Sequence, residues 1–149
     1  MELRQYENSV GISLEILWSD EDLFAVKVVT RNGSFGGVAK LYVEIGGLDK
    51  LAVIISGFPE DANDTRETVL GAFGPEYAGG AASLRLFCID RAGHAYVESK
   101  VESGEESAGV FQTATLIMPV EASAIDRFVI QLRKLERDKQ GTAVLVGQG

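Results

Sequence analysis

GVFQTATLIMPVEASAIDRFVIQLRKL, residues Gly109–Leu135, changes its hydrophobic period midway and so decides the fold class. In its second half Ile125, Phe128, Val129, Leu132 and Leu135 recur at spacings of three and four, one face of an α-helix, while Asp126, Arg127, Gln131, Arg133 and Lys134 take the other face. Pro119 stands just outside this helix, Glu121 falls in its first turn, Ser123 is a candidate N-cap and Gly141 offers a stop. Arg133, Lys134 and Arg137 gather where the helix dipole favours cations. The first half, Val110–Met118, carries no charge and is rich in Phe, Thr, Val and Ile, which suits a strand covered on at least one face. A strand leading into a helix laid back on its own sheet predicts an α+β domain.

Working outward, Ile12, Leu14, Ile16 and Trp18 alternate with Ser13 and Glu15, the period of a half-buried strand, and Ser19–Asp22 makes a turn. Leu23–Thr30 is a second strand. It meets Asn32-Gly33, a dipeptide suited to a two-residue type I′ loop that pairs Thr30 with Phe35, Val28 with Gly37, Val26 with Ala39 and Phe24 with Leu41. Leu48, Leu51, Ala52, Ile55 and Phe58 repeat the helical offsets before Gly57 and Pro59 end this shorter helix. Residues 60–82 lose periodicity and read as an irregular Gly-rich loop with one turn of helix near Thr65–Leu70. Leu84–Asp90 and His94–Glu102 form another hairpin. An Ala92-Gly93 loop sets Ile89 against Tyr96, Cys88 against Val97, Leu86 against Ser99 and Leu84 against Val101.

These elements predict a single α+β domain over residues 1–149, with a core from about 12 to 137. Its architecture reads as an antiparallel sheet of six or seven strands with two helices packed on one face. Residues 138–149 are a tail whose Thr142–Val146 segment is a short strand, covering an edge of its own sheet or pairing across a dimer. Arg31-Asn32-Gly33 and Arg91-Ala92-Gly93, each followed by strand and helix, suggest two duplicated halves; chance likeness between strand-rich halves is the other reading.

Composition narrows the function. A net charge of −8 with no basic run argues against nucleic acid and points to solubility or to a basic protein partner. One Cys leaves no intrachain disulfide and favours a reducing compartment. The first residues have no signal-peptide core, and no apolar run approaches membrane-spanning length, so the expectation is a cytoplasmic protein, monomer or weak homodimer, without membrane contact.

The usual catalytic constellations are missing. One His and one Cys cannot build a zinc site, and the preferred hairpin register sends Cys88 and His94 to opposite faces. Asp61–Thr65 starts like a calcium loop, but Arg66 replaces the required Gly and Ala72 the closing Glu. No phosphate-binding Gly motif or nucleophile elbow occurs. No catalytic residue, metal ligand or cofactor is therefore expected. Chemically varied neighbours, Arg91, His94, Tyr96 and Glu98, together with the acidic Glu102, Glu105 and Glu106, are the candidate binding residues.

Ser34-Phe35-Gly36-Gly37, the Leu48–Pro59 helix, the Asp90–His94 turn and the last strand-to-helix with Asp126-Arg127-Phe128 together resemble a family of small uncharacterised bacterial α+β proteins. Some members of that family are similar to immunity proteins of toxin systems. The resemblance spans about residues 12–137 and implies no catalytic residues. The net charge and the missing catalytic constellations lead to the expectation of a non-enzymatic, immunity-like protein that binds a basic partner through an acidic surface, by its acidic loops or an exposed sheet face. The alternative is a small-molecule-binding or minor enzymatic domain using the 60–82 loop as a lid.

Overall fold

The computed structural model describes residues 10–74, 79–105 and 109–148. In chain order the elements are β1 (Gly11–Ser19), β2 (Leu23–Arg31), β3 (Gly36–Glu44), α1 (Gly47–Ile55), β4 (Arg66–Gly71), β5 (Ala81–Cys88), β6 (Ala95–Glu105), β7 (Val110–Val120), α2 (Ala122–Asp138) and β8 (Thr142–Val146). The α+β class holds, but the strands form two antiparallel sheets of four, β3-β2-β1-β8 and β4-β5-β6-β7, in place of one sheet of six or seven. Alternation tells which residues face a core and is silent on which strands are neighbours.

Each sheet is a three-strand meander extended by the strand that follows the other half's helix. β4 follows α1 and joins β5 of the second sheet, whereas β8 follows α2 and joins β1 of the first. Element order thus recurs, although the two loops matched in the sequence are not equivalent: Asn32-Gly33 precedes the last strand before α1, and Ala92-Gly93 lies two strands before α2. Thr142–Val146 covers an edge of its own sheet, and Ala143 and Leu145 are buried, so the core extends beyond residue 137.

One apolar cluster joins both sheets and both helices. It takes Ile12 and Leu14 from β1, Leu41 from β3, Leu86 from β5, Met118 from β7 and Phe128 from α2. All five apolar residues of the helical stripe in α2 are buried, as are Leu48, Leu51, Ala52, Ile55 and Phe58 around α1, and the two helices pack together. The helix start differs from the sequence reading: Glu121 occupies the N-cap position without a side-chain cap, and Ser123 lies inside the helix.

Both hairpins are two residues out of the register read from sequence. Val28 faces Ala39 and Val26 faces Leu41, around a turn in which Asn32 Oδ1 accepts the N–H groups of Ser34 (3.0 Å) and Phe35 (2.8 Å). Leu86 faces Val97 and Cys88 faces Ala95, with Asp90 Oδ1 accepting from the His94 N–H at 3.2 Å. Asn and Asp side chains that satisfy turn amides stabilise these longer loops over the two-residue form. A shift of two keeps every side chain on its expected face.

Part of the Gly-rich region is regular: Arg66–Gly71, read as loop and helical turn, is a strand paired with β5. Arg66 reaches back to α1, where its Nη1 donates to the carbonyls of Ile54 (3.0 Å) and Ser56. At the other end of α1, Gly46 offers no side-chain cap, and Glu136 of α2 supplies one. Its Oε1 accepts the N–H groups of Leu48 (3.1 Å) and Asp49 (3.2 Å). A carboxylate there satisfies orphan donors and meets the positive end of the helix dipole. Glu136→Ala is expected to lower the unfolding free energy by about 1–2 kcal/mol, and Glu136→Gln, which keeps an acceptor oxygen, by about half of that. Urea unfolding measures both; an unchanged midpoint in the alanine variant would refute the capping role.

Candidate functional site

The expected binding residues do not form one site. His94 and Tyr96 line a cleft of about 610 Å³ with Ile89, Pro119, Glu121 and Gln148. His94 Nδ1 lies 2.6 Å from Asp90 Oδ2, and this hydrogen bond is the main reason that the Asp90 carboxyl sits below its usual pKa. A carboxylate orienting an imidazole is half of a nucleophile-activating arrangement. Yet the His94 side chain is 71% exposed and no Ser, Thr or Cys lines that cleft. Tyr96 stacks on Phe87 with centroids 6.1 Å apart, and Glu98 stands 3.9 Å from Arg85. Arg91 is exposed in the turn.

Glu102 corrects the acidic-loop expectation. It is only 8% exposed, and its Oε2 accepts the Gly74 N–H at 2.8 Å, which gives the carboxylate a structural task. Of Glu105 only the backbone is described, as the last residue of β6, and Glu106 lies outside the described residues. Cys88 is partly buried on the core side opposite Ala95; burial, then the charges of Asp64, Asp90 and Asp61, push its thiol pKa up, away from the thiolate that reactivity needs. Among the described residues, no three His, Cys, Asp or Glu side chains gather as metal ligands, and no helix is long and apolar enough to cross a membrane.

The most developed site lies elsewhere and begins with an irregularity in β1. The pairing with β2 runs Leu14 to Val28 and Ile16 to Val26, then jumps to Trp18 opposite Ala25, so Leu17 is an inserted bulge residue. Regular alternation would put Trp18 on the core face with Ile12, Leu14 and Ile16. The bulge moves it to the outer face, where it is 48% exposed. There its ring meets Tyr42 of β3, also 48% exposed, at 6.1 Å between centroids and a 58° tilt. Ala25 lies between them in the same cross-strand row and is buried beneath.

Trp18 and Tyr42 wall a cleft of about 580 Å³ at the place where β3 crosses the second sheet. Leu17, Val38 and Lys40 line it from the first sheet, and Gly80, Ser103 and Phe111 from the second. Leu17, Trp18, Val38 and Tyr42 are all exposed. A tilted aromatic pair beside aliphatic side chains and one lysine matches the make-up of binding hot spots, with large apolar anchors and few charges. Sequence reading missed this site because nothing in a run of alternating residues marks where an extra residue will bulge.

No protein-family model matches the chain, and neither a curated protein nor a solved structure matches it. The toxin-immunity resemblance thus has no support from relatives, and function is argued from the site alone.

Proposed function

We propose that this chain is a protein-binding module that docks a partner's extended segment in the Trp18–Tyr42 cleft. The observation that carries the reading is the Leu17 bulge, which takes the chain's one tryptophan out of the core and sets it against an exposed tyrosine. Exposing that much aromatic surface gives up burial that would stabilise the fold, and contiguous exposed apolar patches mark interaction sites. The net charge of −8 supports a partner of basic net charge, steered by long-range attraction and held by apolar contact. A basic toxin neutralised by a stoichiometric binder is one partner of that chemistry. Glu102 has no part in this reading, since its carboxylate is committed to Gly74.

Trp18→Ala tests the proposal, because a half-exposed side chain can be removed with little effect on folding. The expected result is at least a tenfold loss in the amount of partner captured from the source cell, against a melting temperature close to wild type. The proposal fails if the variant retains the same partner in the same yield.

A further inference from the structure

We infer that the occupant of the Trp18–Tyr42 cleft is a short extended segment with an apolar anchor flanked by opposite charges, an acidic residue two positions to one side and a basic residue two positions to the other. The inference rests on the docking role proposed above and adds the chemistry of the segment.

Outward-facing residues of the first sheet form rows across its strands. Tyr42, Ala25 and Trp18 make one row, and the next in one direction is Lys40, Lys27 and Glu15. Lys27 and Lys40 are direct cross-strand partners. Glu15 opposite Lys27 offsets one of these charges, so the row keeps one net positive charge toward its Lys40 end, which lines the cleft and would attract a partner's carboxylate. In the other direction β3 ends at Glu44, paired with Leu23, and the Asp20-Glu21-Asp22 turn follows Trp18 and Ser19 along β1. Glu44 is highly exposed and shared with Lys50 at 3.2 Å, so that end carries a surplus of negative charge. The aromatic pair therefore sits between a positive row and a negative end.

Spacing turns this polarity into a sequence pattern. Lys40, Tyr42 and Glu44 alternate along β3 at roughly 7 Å per step, the same repeat as an extended peptide lying beside them. The complementary segment is acidic–x–apolar–x–basic, or its reverse, since the direction of the peptide along β3 is left open by side-chain complementarity. Single-stranded nucleic acid fits less well. The Trp18 and Tyr42 rings pack against each other at 58°, which leaves no parallel platform for successive bases, and the molecule is strongly acidic.

The test uses the full chain and four fluorescein-labelled peptides, each Gly-flanked: Glu-Ser-Trp-Ser-Lys, Lys-Ser-Trp-Ser-Glu, and versions with Glu at both ends or Lys at both ends. One charge-split peptide should bind about tenfold tighter than either single-sign peptide. The double variant Lys40→Glu/Glu44→Lys exchanges the two charges that flank Tyr42 along β3 at unchanged net charge, leaves the Asp20–Asp22 turn negative, and should abolish the preference between the two split peptides. Equal binding of a single-sign peptide, or an unchanged preference in the double variant, overturns the inference. If Trp18→Ala still weakens every peptide in that case, the docking role stands and only the charge pattern falls; if Trp18→Ala changes nothing, both fall. Absence of binding by all four at millimolar concentration also overturns it. So does tighter binding of an oligothymidylate, or a homodimer in light scattering that Trp18→Ala dissociates, which assigns the cleft to a second copy.

Discussion

Gly80→Ala is expected to lower the unfolding free energy by about 3 kcal/mol. Gly80 immediately precedes β5, where β3 passes over the second sheet. A Cβ there would sit 2.6 Å from the Lys40 carbonyl oxygen and 2.7 Å from that of Glu102. Both obstacles are backbone atoms of different sheets, so neither can rotate away, and relief requires β3 and β6 to separate. Two other glycines calibrate the effect. At Gly37 the obstacles are side-chain methyls, Val101 Cγ2 at 2.7 Å and Ala114 Cβ at 3.1 Å, and at Gly36 the nearest is the flexible Arg31 side chain at 3.1 Å. Destabilisation should fall in the order Gly80, Gly37, Gly36, with Gly36→Ala close to neutral. Urea unfolding of the three alanine variants checks the order, and a near-neutral Gly80→Ala would mean that the sheets approach less closely than described. Because Gly80 also lines the Trp18–Tyr42 cleft, the same variant should weaken partner binding.

How far the sequence could be read follows from the range of each signal. The stripe Ile125–Leu135 and the alternation in β2, β5 and β6 are local, and each put the right residues on the core face. Register was less legible. Asn32 and Asp90 spend their side chains on turn amides, and that choice between loop lengths depends on geometry more than on residue type. β4 was hidden because its Arg-Glu-Thr-Val-Leu-Gly run is only six residues long, buries Leu70 alone and stands among Gly, Asp and Pro. The two-sheet arrangement depends on β8 finding β1 across most of the chain, and no local period reports that. The candidate site was least legible of all. The candidate cluster around His94 rested on proximity within one hairpin, whereas Trp18 and Tyr42 are joined only through the pairing of three strands after a bulge.

Arg66→Ala should cost about 3 kcal/mol, because one guanidinium performs four tasks at once. It donates to the carbonyls of Ile54 and Ser56 at the C-terminal end of α1, where no helix residue supplies a basic group. It grips Asp64 with two bonds, Nη2 to Oδ2 at 2.8 Å and Nε to Oδ1 at 3.2 Å, and lies 5.7 Å from the centroid of the buried Phe58 ring. The pair is largely shielded, at 20% and 14% side-chain exposure, so removing one partner leaves a poorly solvated charge. Arg66→Met, which keeps an aliphatic chain of similar reach without the guanidinium, should recover about 1 kcal/mol of the loss. The pH dependence separates the charge from the packing. Arg66 first, and then the Glu60 N–H, hold the Asp64 carboxyl below its ordinary pKa, against opposing desolvation. A carboxyl lowered in the folded state contributes stability above its unfolded pKa of about 4 and loses it as pH falls through the folded value. The stability gap between wild type and Arg66→Met should therefore be full at pH 6 and shrink below about pH 4. Taking the difference cancels the acid sensitivity that Asp20, Asp90 and Asp138 contribute to both proteins, since their carboxyls are lowered by other partners. A gap that stays constant down to pH 2.5 would show that Arg66 acts through packing and carbonyl capping alone, with the Asp64 pair adding nothing to the fold.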